Sequence, residues 1–544
     1  MRIASRVSCL VGSLAACVFA ALAVSACGPA ARAQSAPALP KIVNQDGHSA
    51  LMLDGAPYLI LGAQIHNSSS WEDALPKVWT LTEGLNANTI EAPIYWEQME
   101  QQQGQFDFST ADMLIQQARE HHVRLVLLWF GTWKNGRDHY VPEWIKTNTE
   151  KYPLAMTRDG DKIDVLSPYS ENSLNADKAA FAALMRHIKQ IDGTQQTVIM
   201  VQVENETGLL GSMRDYSPAA NKLFNGPVPQ TLVEALHKQP GTWSQVFGND
   251  ADESFSAYGV ASYVNQVAAA GKAEYALPMY CNNWLHRPDG DQYPYPTGGP
   301  TYNMLDIWKS AAPNIDMIGP DIYIASPERY REVLKEFHRP DNPAWIPETI
   351  GFGSASPDYL FYALGEEAIG FSPFGLDTMP ADEFTKHLSP QMDSLAASYR
   401  VLGSMDRPLA ELLYQGKVKT AVEEPSMPTA SQALDFGKWL AIVSFGPRFP
   451  GMPQSPIQKL QAGRALVAPI GPDRFVVVGF NASVTFVLAH PAAHEHPQYL
   501  RVEEGSYDGD AWKTGRWLNG DETDHGLRFG DDGSILHVSM TSYR

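Results

Sequence analysis

A chain of 544 residues is too long for one ordinary domain, and 44% hydrophobic with 10% aromatic residues is ample for a sizeable core. A net charge of −20 argues against nucleic acid, whose phosphates would be repelled, and offers no basic patch to an anionic membrane surface. A neutral partner such as a carbohydrate fits this balance better.

The chain opens with Arg2 and Arg6, followed by an uncharged apolar stretch ending at Ala26, the layout of a processed export leader. Two endings present themselves. Ala31-Arg32-Ala33 is a small-residue cleavage site, which makes residues 1–33 a signal peptide. Val24-Ser25-Ala26-Cys27 resembles a bacterial lipobox, which would end the leader before Cys27 and place a lipid anchor on it. An uncleaved anchor helix is the bland alternative. Either cleavage predicts an exported protein, in the periplasm or on the outer membrane of a bacterium as a lipoprotein. No later stretch is long and apolar enough to span a membrane. Cys9, Cys17 and Cys27 lie in the leader, so the body keeps Cys281 and forms no internal disulfide. No Cys/His group has metal-ligand spacing, and no metal or organic cofactor is expected.

Residues 34–44, rich in Ala, Pro and Ser, read as a linker. Residues 45–416 then alternate short apolar runs with helical patterns. The runs are Tyr58–Leu61, Asn88–Ile90, Arg124–Leu128, Val198–Val201, Ala276–Tyr280, Asp316–Gly319, Pro343–Ile346 and Ala368–Phe371. Short, continuous and apolar is how parallel strands buried on both faces should look. Between them, Ser109 starts a helix with Asp112 three residues on, Asn175–Gln190 forms another, and Ser389–Leu402 closes the series. The fold predicted is an α/β (β/α)8 TIM barrel. In residues 417–544 the texture changes to strand patterns at Ala465–Ala468, Phe475–Phe480, Ser483–Val487 and Ile535–Val538, separated by Gly, Pro and Asp. A C-terminal antiparallel β-sandwich is expected there.

Two of the barrel runs end in carboxylates. Val198–Val201 leads into Gln202-Val203-Glu204-Asn205-Glu206, and Pro343–Ile346 leads into Pro347-Glu348. In a parallel barrel the site lies at the C-terminal ends of the strands. Two carboxyl groups converging there are the equipment for glycosidic bond cleavage. Glu206 is the candidate acid/base, because burial beside another carboxylate raises a carboxyl pKa. Glu204 should point to the other face if the strand alternates. Glu348 is the candidate nucleophile, and Tyr323 at the end of the sixth run could donate its hydroxyl to it. Asn205 is placed to bond a sugar 2-hydroxyl. Trp96, Trp133 and Trp284 are candidate platforms for the apolar faces of sugars. Gln64, Glu91, Asn135 and Asn282 are further strand-end groups for sugar hydroxyls. His66 reads more readily as a structural histidine, and His121-His122 as a solvated helix end. Each isolated residue has a bland reading, a surface carboxylate or a core aromatic; their shared location carries the argument.

These motifs resemble the clan-A retaining glycosidases, and within them the family 35 β-galactosidases. The resemblance rests on Gly62-Ala63-Gln64-Ile65-His66, Gly84-Leu85-Asn86, Tyr95-Trp96-Glu97, Gly104-Gln105-Phe106-Asp107-Phe108, Val141-Pro142-Glu143-Trp144-Ile145 and Gln202-Val203-Glu204-Asn205-Glu206. Tyr499–Gly505 and Trp517–Asp521 look like a β-domain of unknown function found behind the barrel in a bacterial branch of that family. The resemblance implies double displacement, with Glu348 attacking the anomeric carbon and Glu206 serving as acid and then base. It implies release of terminal β-D-galactose, from plant cell-wall side chains such as those of xyloglucan. The retaining mechanism predicts carboxyl groups about 5–5.5 Å apart.

Two departures stand out. Where many relatives have Trp-Asn-x-His-Glu-Pro, this chain has Trp96-Glu97-Gln98-Met99-Glu100; where they have Ala-Glu-Trp, it has Gly131-Thr132-Trp133. Both segments shape the sugar pocket, so another clan-A specificity, such as β-glucosidase, β-mannosidase or endo-glucanase, stays open. A non-catalytic surface glycan-binding protein is the reading of a different class, and loss of one carboxylate would mark it.

Overall fold

The computed structural model describes residues 38–286, 295–350, 356–378, 390–424, 426–427, 430–445 and 462–544. The leader, both cleavage motifs and Cys27 lie outside them. Among the described residues no helix is long and apolar enough to cross a membrane.

All eight expected apolar runs are strands of one closed parallel barrel. In chain order they are β1 (Ile60–Gln64), β2 (Thr89–Tyr95), β3 (Arg124–Lys134), β4 (Val198–Asn205), β5 (Met279–Asn283), β6 (Met317–Ile322), β7 (Ile346–Thr349) and β8 (Gly370–Pro373). Every neighbour in the ring is its neighbour in sequence, and β8 closes on β1. The lumen is packed by Ile60, Val126, Leu128, Met200, Tyr280, Met317, Trp345 and Ile369. Leu51 and Leu53 join this cluster from a small antiparallel sheet, Lys41–Gln45, His48–Leu53 and Ala56–Tyr58. The expected linker therefore runs into a strand from Lys41, because Ile42 and Val43 have a hairpin partner to pair with.

Helices shield the outer face. Those that position the site are α1 (Ser109–Glu120), α2 (Glu171–Asp192), α3 (Ala251–Glu274), α4 (Ser356–Gly365) and α5 (Pro390–Gly403). Ser109 lies within the first turn of α1 and does not cap it; the Asp107 carboxylate accepts from its backbone N–H instead, at 2.9 Å. α2 starts earlier than its apolar pattern, because Ser170 caps it by accepting from Ser173 N at 3.2 Å.

The tail forms two antiparallel sheets. One contains Lys419–Val422, Arg464–Gly471, Arg474–Phe480, Ser534–Tyr543, His496–Asp508 and Ala511–Leu518; the other contains Gln432–Asp435, Trp439–Ser444, Ser483–Leu488 and Leu527–Arg528. Their facing sides share a core that includes Trp439, Phe475, Val484 and Phe486. The outer side of the larger sheet packs on the barrel: Leu466, Val476, Val478 and Phe480 belong to the same apolar cluster as α4 and α5. Arg464 is the polar centre of this seam. It is fully buried, donates to Ser394 O at 3.2 Å and Ser398 Oγ at 2.8 Å, and lies 4.3 Å from the Phe480 ring.

Candidate active site

At the C-terminal end of the barrel, β4, β6 and β7 deliver Glu206, Asp321 and Glu348. One carboxyl oxygen from each lies within 4.8 Å of the others, and all three residues are buried. Carboxyl groups this close act on one another's charge directly.

Glu348 is held by two donors. Gln64 Nε2 on β1 donates to Oε2 at 3.0 Å, and the Tyr323 hydroxyl donates to Oε1 at 2.5 Å. Tyr323 itself is half exposed, so this side of Glu348 opens to the mouth. The two donors fix the orientation of the Glu348 carboxyl at the mouth.

Glu206 stands in a different environment. Burial and the charge of Glu348 push its pKa up to about 7, opposed by the Lys134 ammonium and by hydrogen bonds from Asp321 and Trp284. Two carboxyl groups, one furnished with donors and one raised towards neutrality, are the pattern of a nucleophile beside a general acid. The backbone N–H of Glu206 donates to Asn282 Oδ1 at 2.9 Å, and Asn282 Nδ2 donates to Asp321 Oδ2 at 2.8 Å. The strand end is bent to make this fit: Glu204 and Glu206 both have left-handed backbone, with φ of 65° and 46°. Each such residue costs about 1–3 kcal/mol, and strain of this kind collects at functional sites.

Glu204 turns the other way, as strand alternation implies. Its Oε2 accepts from Trp133 N at 2.8 Å, and its carboxyl is bonded to that of Asp177 on α2. Asp177 also accepts from Trp129 Nε1 at 2.9 Å and Thr132 Oγ1 at 2.6 Å. Burial raises both acids, Glu204 furthest, so the proton rests on Glu204. Gly131 is required beside this pair, since a Cβ there would sit 2.3 Å from Trp129 Nε1 and 2.8 Å from Glu204 Oε1.

The remaining expected site residues divide. Gln64, Asn282, Trp284 and Tyr323 touch the carboxylates. The Asn205 amide stands beside Gln202, and with its oxygen and nitrogen exchanged the oxygen accepts from the Lys134 ammonium at 3.2 Å. Asn135 is half-buried beside Gly136, whose N–H is bonded to the carbonyl of Glu206. Glu91 occupies the layer beneath. It accepts from the Tyr280 hydroxyl at 2.7 Å, and burial pushes its pKa to about 8. It supports the site and presents nothing to a sugar.

Trp96 and Trp133 are not platforms. Trp96 is fully buried against Trp129 and Trp144, with its indole N–H on Glu100 at 2.8 Å. Trp133 is fully buried edge-on against Tyr263 of α3. Both face the helices. In β3 this follows from a break in register between Trp129 and Lys134, which shifts the alternation that a regular strand would keep.

Two site residues escaped the sequence reading. Asp321 shares the face of Tyr323, two residues away, and that alternation was the available signal. Lys134 carries no such signal, because the same irregularity in β3 brings it to the site. The trio's spacing would also admit a cation; the Lys134 ammonium takes that electrostatic place, and no metal is assigned.

An eight-stranded parallel barrel that converges strand-end Glu residues so closely is the architecture of glycoside hydrolases working with paired carboxylates. Residues 50–284 match the model of Glycosyl hydrolases family 35, the family that the motifs resemble. Residues 395–530 match a domain of unknown function, DUF5597, which begins inside the helix on which Arg464 docks the tail.

A β-galactosidase of Xanthomonas manihotis is 27% identical over 222 residues, covering 36% of this chain and 34% of that protein. The chain thus spans about a third of that relative's length. Among solved structures, a β-galactosidase from Bacillus circulans sp. alkalophilus aligns with a TM-score of 0.47 at 14% identity, over 64% of this chain and 57% of that one. One from the psychrophilic Marinomonas ef1 gives 0.47 at 10%, over 65% and 62%. The catalytic domain of a Paenibacillus polymyxa β-amylase gives 0.46 at 11%, over 59% and 94%. These structural likenesses are too distant to bear on function.

Proposed function

We propose that the protein is a retaining exo-glycosidase that releases terminal β-D-galactose from oligo- or polysaccharides, xyloglucan side chains among them. The observation that carries this reading is the convergence of Glu206 and Glu348 within 4.8 Å in unlike environments. In the first step Glu348 attacks the anomeric carbon while Glu206 protonates the departing oxygen. In the second, Glu206 takes a proton from water, and the hydroxide displaces Glu348 from that carbon. Burial around Glu206 keeps a useful fraction protonated near neutrality, which proton transfer to a poor leaving group requires. The match of residues 50–284 to the family 35 model and the β-galactosidase relative support galactose as the sugar. Export is part of the proposal, and fractionation of cells expressing the chain with Cys27→Ser distinguishes a lipid anchor from a free periplasmic enzyme.

The test is hydrolysis of aryl β-glycosides by the purified mature chain, with Glu348→Gln alongside and the anomer of the first-formed sugar followed by NMR. Release from the β-galactoside with β-product first, lost in the variant, is expected. Activity confined to the glucoside or mannoside would overturn galactose, α-product first would overturn retention, and no activity on any small glycoside or on xyloglucan would leave a glycan-binding protein.

A further inference from the structure

Asp321 has no place in a two-carboxylate mechanism, yet it is built into the site. It is 3% exposed and stands opposite Glu348 in the β6–β7 ladder. Asn282 clamps it to Glu206 by bonding the carboxylate of one and the backbone of the other. An oxygen of the Asp321 carboxyl lies within 4.8 Å of one of Glu206's, and Asp321 Oδ1 is buried with no other hydrogen-bond partner among the described residues. Two buried carboxyl groups this close bond to one another only when one of them carries a proton.

We propose that Asp321 and Glu206 hold one proton between them, and that Asp321 is the positioning residue that keeps Glu206 supplied as acid and receptive as base. The inference rests on the acid/base reading of Glu206. The charged and titratable groups facing the pair are Glu348, Lys134, Tyr280 and Tyr323, with Glu91 beneath. Three ionised carboxylates so close, with one ammonium beside them, are not compatible. Burial and the charges of Glu348 and Glu206 hold the Asp321 carboxyl well above its usual range.

The cycle balances. At rest Glu348 is ionised and the pair carries one proton. When the bond to the leaving oxygen breaks, Glu348 bonds the anomeric carbon and the shared proton leaves through Glu206 to that oxygen. Glu348 is then a neutral ester, which removes the charge that opposed full ionisation of the pair. Water next bonds the carbon, the ester bond breaks, and the water proton returns to the pair as Glu348 regains its charge.

Asp321→Asn tests this. The amide can still accept from Asn282 and donate to Glu206, so the shape is kept and the shared proton is lost. A fixed donor stabilises ionised Glu206, so the basic limb of kcat/KM should move down by about one pH unit or more. At pH 7 the loss should be about tenfold or more on phenyl β-galactoside, and much smaller on the dinitrophenyl galactoside, whose leaving group needs no acid. If the amide is not accommodated, Asp321→Ser repeats the comparison with a smaller donor. A pH profile and leaving-group dependence identical to wild type would overturn the proposal. Glu206→Ala in the same assays separates the two readings. If it keeps full activity on the phenyl substrate, the acid/base reading itself fails. If it loses that activity and azide restores turnover of the dinitrophenyl substrate, an unchanged Asp321→Asn profile sinks only the shared proton.

Discussion

The Glu204–Asp177 pair behind β4 makes a stability prediction that can be worked through. Unfolded, the two side chains titrate at about 4.3 and 3.9. Folded, burial raises both, and Glu204 keeps its proton and donates it to Asp177. Above the unfolded values the folded state therefore holds a proton that the unfolded chain has released. Stability falls with rising pH under that condition, by about 1.4 kcal/mol per pH unit for one retained proton. Between pH 5.5 and 7.5 the pair should therefore weaken the fold progressively for as long as Glu204 keeps its proton. Glu204→Gln removes the titration and keeps the bonds, since the amide oxygen accepts from Trp133 N and the amide nitrogen donates to Asp177. The other raised acids, Glu91 and Glu206 among them, remain in both proteins and cancel in the difference. Denaturant unfolding across that range should show the variant gaining on wild type by about 1.4 kcal/mol per unit. Parallel stability curves would refute the buried proton on Glu204.

Three further outcomes follow from the geometry. Tyr323→Phe removes a donor from the Glu348 carboxyl, a bond worth about 1.5–3 kcal/mol, so kcat should fall by roughly ten- to a hundredfold with the fold unchanged by circular dichroism; a full-rate variant would show that the 2.5 Å contact does not matter to the proposed nucleophile. Trp133→Phe should lower Tm while leaving KM for an aryl galactoside alone, and Trp284→Phe should do the reverse, because the first ring packs on Tyr263 and the second donates to Glu206; interchange of these effects would overturn the corrected placement. Arg464→Ala strips the buried seam between barrel and tail and leaves Asp358, whose pKa burial already pushes to about 7, without its nearest positive charge. A loss of roughly 3–5 kcal/mol in unfolding free energy is expected, and a wild-type midpoint would rule out a structural role for the tail contact.

The barrel was legible because its strands are buried on both faces, which forces continuous apolar runs such as Val198–Val201 that no exposed segment would carry. Glu206 and Glu348 were legible because a carboxylate closing such a run has nowhere to go but the mouth. Depth and face were harder to read. Glu91 belongs to the correct strand and side, but one layer down, where Tyr280 rather than a sugar meets it. Trp133 lies near the end of β3 at the position where a regular strand would turn it to the pocket, and the broken register turns it outward while bringing Lys134 in. An irregularity of that kind is set by packing between strands, not by local residue preference. Asp321 is the opposite case: strand alternation counted back two residues from Tyr323 points to it on the same face.

The division of labour in the site explains why reaction class and sugar specificity separate in this chain. The carboxylate layer comes from β4, β6 and β7, is braced by Gln64 and Asn282, and holds the groups that the proposed double displacement uses. The segments that depart from the family pattern follow β2 and close β3, and here they are spent on structure. Trp96 is in the core, Thr132 is turned to Asp177, and Trp133 is packed on Tyr263. Under the proposed reading, the groups left at the mouth to meet a sugar are Asn135 beside the Glu206 backbone, Trp284 beside Glu206, and half-exposed Tyr323 on Glu348. A pocket built from so few polar donors discriminates mainly through the hydroxyls it leaves unpaired when the wrong epimer binds. On that argument, substitution of Asn135 should change the ratio of galactoside to glucoside turnover, whereas substitution of Glu348 should abolish both together.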